Sequence, residues 1–264
     1  MKLFDNIKLG FKALYLSVYE GYTYHAASLT YSFLMILGSL ALFSNFIASF
    51  LPFFDFDRLA SYFSRFFPQQ AEGMMVKIFE IYRHRVSGSI ISILIAYFFS
   101  VGFSKSLHRA FLYILSQTYK EKEYIFWIKT PVFIIAYTLF LPFISLFMSV
   151  IKYHLVGFFS YMFYVVNLLS IWLVVFLVYY LFLPIGYSML YLFQGALFVS
   201  ISSFFLNKIF TLFVVKIILL NPLYGLMGSV LLFLIWSNLS FTVLLAGAKY
   251  IQLIEKEKKN NCVY

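Results

Sequence analysis

The stretch Tyr153 to Asn207, YHLVGFFSYMFYVVNLLSIWLVVFLVYYLFLPIGYSMLYLFQGALFVSISSFFLN, runs for 55 residues without a Lys, Arg, Asp or Glu. A helix rising about 1.5 Å per residue needs roughly 20 apolar residues to cross a hydrocarbon core about 30 Å thick. The stretch is too long for one crossing and suits two joined by a turn, which Pro184 and Gly186 place near Leu183 to Tyr187. It predicts spans over 163–183 and 191–214 and sets the fold class, because a chain with this segment at its centre is built in a membrane.

Working outward, the uncharged run Ala26 to Phe54 predicts a first span over 29–51, and the segments 86–104 and 130–151 predict the second and third. Pro131 lies near the start of the third span and Pro142 within it, where loss of a backbone N–H predicts a kink. Asn221 and Pro222 mark another turn, after which 223–248 makes the sixth span. At the N-terminus, Phe4, Ile7, Phe11, Leu14, Tyr15 and Val18 recur at helical spacing, which predicts an amphipathic helix over 3–19 lying in the interface with Lys8 and Lys12 toward the headgroups. Lys2, Asp5, Lys8, Lys12 and Glu20 interrupt any run long enough for a signal peptide. The loop 55–85 is too charged to span, and its apolar spacing predicts two short interfacial helices. The expectation is an all-α integral membrane protein: one domain over 1–264, a six-transmembrane-helix bundle with interfacial amphipathic helices.

Composition agrees. The chain is 63% hydrophobic, 23% aromatic and 11% charged, with a mean hydropathy of +0.90, whereas soluble domains carry about 25% charged residues. A soluble globule, a disordered chain and a collagen-like chain are excluded together, and Cys262, the only cysteine, excludes an internal disulfide. Of 20 Lys and Arg, twelve fall on the N-terminal side of the expected membrane and seven on the other, five of these in the loop 55–85; Lys208 lies within the fifth span. The bias places both termini inside.

Few residues stand out chemically. Gly88, Ser92, Ala96, Ser100 and Ser104 are small and four apart, a ridge that lets another helix approach closely. It leads to His108, flanked by Lys105 and Arg109. Two readings fit: a phosphate or carboxylate headgroup entering between helices, or a tightly packed helix followed by ordinary inner-face anchors. Lys208 either snorkels to the interface or lines a cavity with its neighbour Asn207. Tyr31 and Asn238 are polar within spans, where bonds between helices are the common explanation and a substrate path the other. Gly225, Gly228 and Ser229 suit close packing, within one chain or between copies.

His25, His84, His108 and His154 are scattered, no phosphate-binding or nucleophile motif occurs, and all ten carboxylates fall outside the expected spans. These residues predict no metal, no cofactor and no catalytic group, hence no enzyme. The formal charge of +10 is dispersed over both sides, which fits anionic lipid and gives a nucleic acid nothing to bind.

Several segments together resemble the YihY/BrkB family of bacterial inner-membrane proteins. They are Ala26-Ala27-Ser28-Leu29-Thr30-Tyr31; Gly102 with Leu107-His108-Arg109-Ala110; Pro184 with Gly195-Ala196; and Tyr224-Gly225-Leu226-Met227-Gly228 with Trp236 and Leu245-Ala246-Gly247-Ala248. The chain departs from the family pattern at Lys249, where an acidic residue is common. The resemblance implies a multi-pass, six-helix protein of the inner membrane. Family members carry an old ribonuclease label, which these residues do not support, and others are linked to lipopolysaccharide and lipid export. Together the residues and the resemblance point to a transporter of an anionic lipid or lipopolysaccharide-type amphiphile. The alternative is a non-transporting envelope scaffold that binds a partner protein, and a homo-oligomer fits either.

Overall fold

The computed structural model describes residues 2–50, 90–118, 121–136, 159–184, 186–220 and 224–261. Their regular structure is helical: α1 Lys2–Tyr19, α2 Tyr22–Phe50, α3 Ile90–Ile114, α4 over 123–136, α5 Phe159–Phe182, α6 Met189–Leu220 and α7 Tyr224–Asn261. Among the described residues, Val165–Phe182, Met189–Phe213 and Leu231–Lys258 are long and apolar enough to cross a membrane. The loop 55–85, the part of the third span beyond residue 136 and Pro142 lie outside the described residues.

The central stretch folds as two helices with a turn between Phe182 and Met189, where Gly186 takes a φ of 134° that suits only glycine. Elsewhere the helices outlast the expected spans. α3 continues ten residues past Ser104, so Lys105, His108 and Arg109 sit on the helix and not in a loop after it. α4 begins at 123 instead of 130, and α7 runs thirteen residues past Ala248. The reason is physical: a charge ends an apolar run, but it does not end a backbone ladder. α7 continues because Tyr250, Ile251 and Ile254 are buried there, Tyr250 and Ile254 against Ala13 of α1.

α1 lies across this extension by its small face. Gly10, Ala13 and Ser17 are buried, a Cβ on Gly10 would press into the Phe198 ring, and that ring stacks on Tyr250 at 4.7 Å. Ile7, Phe11, Tyr15, Val18 and Tyr19 are left exposed on the other side, beside exposed Lys8 and Lys12. That is the pattern of a helix half-sunk in an interface.

The core is centred on α5, α6 and α7. Gly195 of α6 and Gly247 of α7 face each other, and a Cβ built on Gly195 would stand 3.5 Å from the Gly247 carbonyl and overlap Ile251. A Cβ on Gly247 would overlap Val199 and the Tyr179 hydroxyl. That hydroxyl, fully buried, donates to the Leu244 carbonyl at 2.6 Å and so ties α5 to α7 through the space that Gly247 leaves. α2 packs along α3 and α7 and completes the bundle on the side of Tyr22, Ala26 and Leu29.

The balance of terms at Gly247 is testable. Alanine gains about 1 kcal/mol over glycine inside a helix, but overpacking costs about 1–3 kcal/mol, and here the obstacle is a hydrogen-bonded hydroxyl. Gly247→Ala should therefore lower the thermal midpoint in detergent. Gly102→Ala, at an exposed position where a Cβ meets nothing within 4 Å, should leave it unchanged or raise it. A Gly247→Ala protein as stable as Gly102→Ala would refute the packing described.

Candidate functional site

Three helix ends meet where α3 stops, α4 starts and α5 stops. α3 closes with Ser116 at a φ of 51°, its N–H bonded to the Tyr113 carbonyl at 3.1 Å and that of Gln117 to the Leu112 carbonyl at 3.0 Å. This is the glycine-type helix stop made by a serine. From α7, the Gln252 side-chain amide donates to the Leu115 carbonyl at 2.8 Å, which satisfies one more of the buried end's acceptors.

α4 is fixed in three places. Glu121, just ahead of it, is 2% exposed at its side chain and pairs with Lys129 at 2.6 Å. Thr130 donates to the Ser104 hydroxyl at 2.8 Å, and Ser104 donates to the Ser100 carbonyl at 3.0 Å, so both small serines of α3 are buried at this crossing. Pro131 lies inside the helix and has no N–H for the carbonyl four residues back. That carbonyl, of Trp127, accepts the Tyr97 hydroxyl of α3 instead.

Between these elements is a groove of about 910 Å³, lined by Lys105, His108, Arg109, Leu112, Gln117, Thr118, Glu121, Glu123 and Phe126. Lys105 meets Glu123 at 3.2 Å, a surface contact in which the Glu123 side chain is 77% exposed. Arg109 is exposed and makes no ion pair among the described residues. His108 is 3% exposed, and its Nδ1 lies 2.9 Å from the Phe182 carbonyl at the end of α5. A carbonyl only accepts, so Nδ1 carries the proton and the imidazole caps α5. Nε2 is buried without a hydrogen-bond partner among the described residues, and the Phe126 ring lies 5.1 Å from the imidazole.

The structure thus gathers Lys105, His108 and Arg109 on one groove, with Ser100 and Ser104 deeper, under α4. It does not bring the other candidates there. Lys208 is exposed on α6 with its Nζ 5.9 Å from the Phe204 ring centre. Asn207 accepts the Trp236 indole N–H at 2.7 Å and joins α6 to α7. Asn238 reaches the Thr23 carbonyl at 3.4 Å, and Tyr31 is exposed on α2. Gly88, Ser92, Ala96, Gly225, Gly228 and Ser229 lie outside the residues whose side chains the structure describes. Among the described residues, no three His, Cys, Asp or Glu come together as a metal site would require.

Sequence reading missed Glu121, Glu123, Gln117 and Phe126. Lys105 and Glu123 are 18 positions apart and meet across the α3–α4 turn, and Glu121 and Lys129 are eight apart. Neither spacing is a helical-neighbour signal.

A second polar cluster holds the α1–α2 corner. Glu20 accepts the Tyr22 hydroxyl at 2.5 Å and pairs with Lys249 at 3.3 Å, so the residue that departs from the family pattern has its partner in the turn between α1 and α2. The Tyr22 hydroxyl, and then Lys249, hold the Glu20 carboxyl below its ordinary value of 4.5 against the opposing effect of burial.

The described residues define a helical membrane protein with a charged groove at converging helix ends. Residues 19–262 match the family described as Virulence factor BrkB, and the chain belongs to that family. No curated protein and no solved structure matches it.

A depressed carboxyl stabilises the folded state above its unfolded value and loses that contribution as pH falls through the folded one. Wild type should therefore melt above Glu20→Gln near neutral pH, and the difference should close as pH drops below 4.5. A gap that persisted or widened in acid would contradict the assignment.

Proposed function

We propose that the chain is a non-enzymatic, six-span protein of the bacterial inner membrane, with both termini inside, that moves an anionic lipid or lipopolysaccharide-type amphiphile. The observation that carries this reading is the groove, where an exposed guanidinium, Arg109, and Lys105 share a wall with apolar Leu112 and Phe126. Beside it α4 exposes Tyr124, Trp127 and Ile128, a surface suited to the headgroup level of a bilayer. A charged mouth next to lipid-exposed aromatics suits a headgroup whose chains stay in the membrane. The Lys and Arg count supports placing this end inside.

The two carboxylates act differently on such a ligand. Glu121 is committed to Lys129 in a dry setting, whereas exposed Glu123 holds Lys105 by a contact of the kind worth about 0–1 kcal/mol. A phosphate that bonds to both Arg109 and Lys105 displaces Glu123 at little cost, because charge-assisted bonds of this type contribute about 1.5–3 kcal/mol each.

Purified protein in liposomes, with a labelled anionic phospholipid, tests the reading. Lys105→Ala/Arg109→Ala should slow movement between leaflets about tenfold, and Glu123→Gln should tighten binding by freeing Lys105. Wild-type rates in the double variant, or weaker binding in Glu123→Gln, would overturn the reading.

A further inference from the structure

The groove's chemistry leaves one request unmet. Lys105 faces Glu123, Lys129 faces Glu121 and His108 Nδ1 faces the Phe182 carbonyl. His108 Nε2 is the remaining buried polar atom of the groove wall without a partner among the described residues. In the neutral imidazole, with the proton on Nδ1, Nε2 offers a lone pair: it can take a hydrogen bond and cannot give one. A buried acceptor left unsatisfied costs about 1–3 kcal/mol, so an occupant that supplies a donor is favoured over one that does not.

A phosphodiester cannot supply it, since at neutral pH it carries acceptors only. An ammonium could, but it would have to enter beside the cations Lys105 and Arg109, where the buried carboxylate, Glu121, is already held by Lys129 and Glu123 lies at the exposed rim. A neutral hydroxyl meets neither objection. We infer that the groove selects an anionic headgroup that also carries a hydroxyl, with the phosphodiester on Arg109 and Lys105 and the hydroxyl donated to His108 Nε2. The Phe126 ring beside the imidazole keeps that contact out of bulk water, where a hydrogen bond discriminates best. The inference rests on the headgroup reading above and names the class of headgroup.

The test compares two lipids of equal charge on the full-length protein in detergent: short-chain phosphatidylglycerol, which has the hydroxyls, and phosphatidylmethanol, which has none. Wild type should bind the first about tenfold more tightly, the worth of one hydrogen bond made away from water. His108→Leu should erase that preference; if that variant does not fold, the wild-type comparison still decides. Free glycerophosphoglycerol identifies the source. Failure to displace the lipid means that the groove draws on the membrane, and displacement at similar concentration means that it takes the soluble headgroup through the same contact. Equal wild-type affinity for the two lipids would overturn the inference and leave the headgroup reading standing. Binding of neither would overturn both.

Discussion

The Tyr179 hydroxyl reaches the Leu244 carbonyl only because Gly247 has no side chain, and the rest of the bundle is arranged around that contact. The notch lets α6 and α7 approach until Gly195 is in van der Waals range of the Gly247 carbonyl. It also fixes the height of α5 against α7, and so places in the bundle the end that Pro184 and Gly186 give α5. Its last carbonyl, of Phe182, then falls within reach of His108 on α3. A second tie, Gln252 to the Leu115 carbonyl, runs from α7 to the end of α3. The two helix ends that frame the groove are thus each capped by a side chain from another helix. In a setting with little water, a helix end has few other ways to satisfy its carbonyls.

A consequence is that the groove is a by-product of well-satisfied ends. Polar groups were needed there for capping and for the crossing of α3 and α4, where Thr130, Ser104 and Tyr97 complete the bonding, including the carbonyl that Pro131 leaves open. Charges gather at the same place: Glu121 and Lys129 in a dry pair, Lys105 and Glu123 at the rim, Arg109 outside both. The buried pair lies at the base of the groove and the exposed one at its mouth.

How much of this the chain discloses depends on the length scale of the signal. The pair of helices in 159–220 and the turn at Pro184 and Gly186 are legible because apolar length and helix breakers act locally. The amphipathic N-terminal helix is legible for the same reason, although which face meets the protein is decided by Gly10 and Ala13 fitting against Phe198 and Tyr250. Helix extents are not legible, because a charge such as Lys105 or Lys249 ends an apolar run without interrupting the backbone ladder. Lys105, His108 and Arg109 can be picked out as a misplaced polar cluster. Their partners Glu121, Glu123 and the Phe182 carbonyl cannot, because those contacts form only when separate helices converge. Gly195-Ala196 and Leu245-Ala246-Gly247-Ala248 show themselves as family motifs, and their purpose emerges only when Tyr179 is seen in the notch.

The capped ends of α3 and α5 frame a groove, and the proposed topology, with both termini inside, opens it at the inner face of the membrane. Cys262 is the only cysteine, so Cys262→Ser with Thr118→Cys places a single thiol on the groove wall. Its reaction with a membrane-impermeant maleimide should be rapid in inverted membrane vesicles and absent in right-side-out ones. Labelling confined to right-side-out vesicles would put the groove on the opposite face and contradict the account.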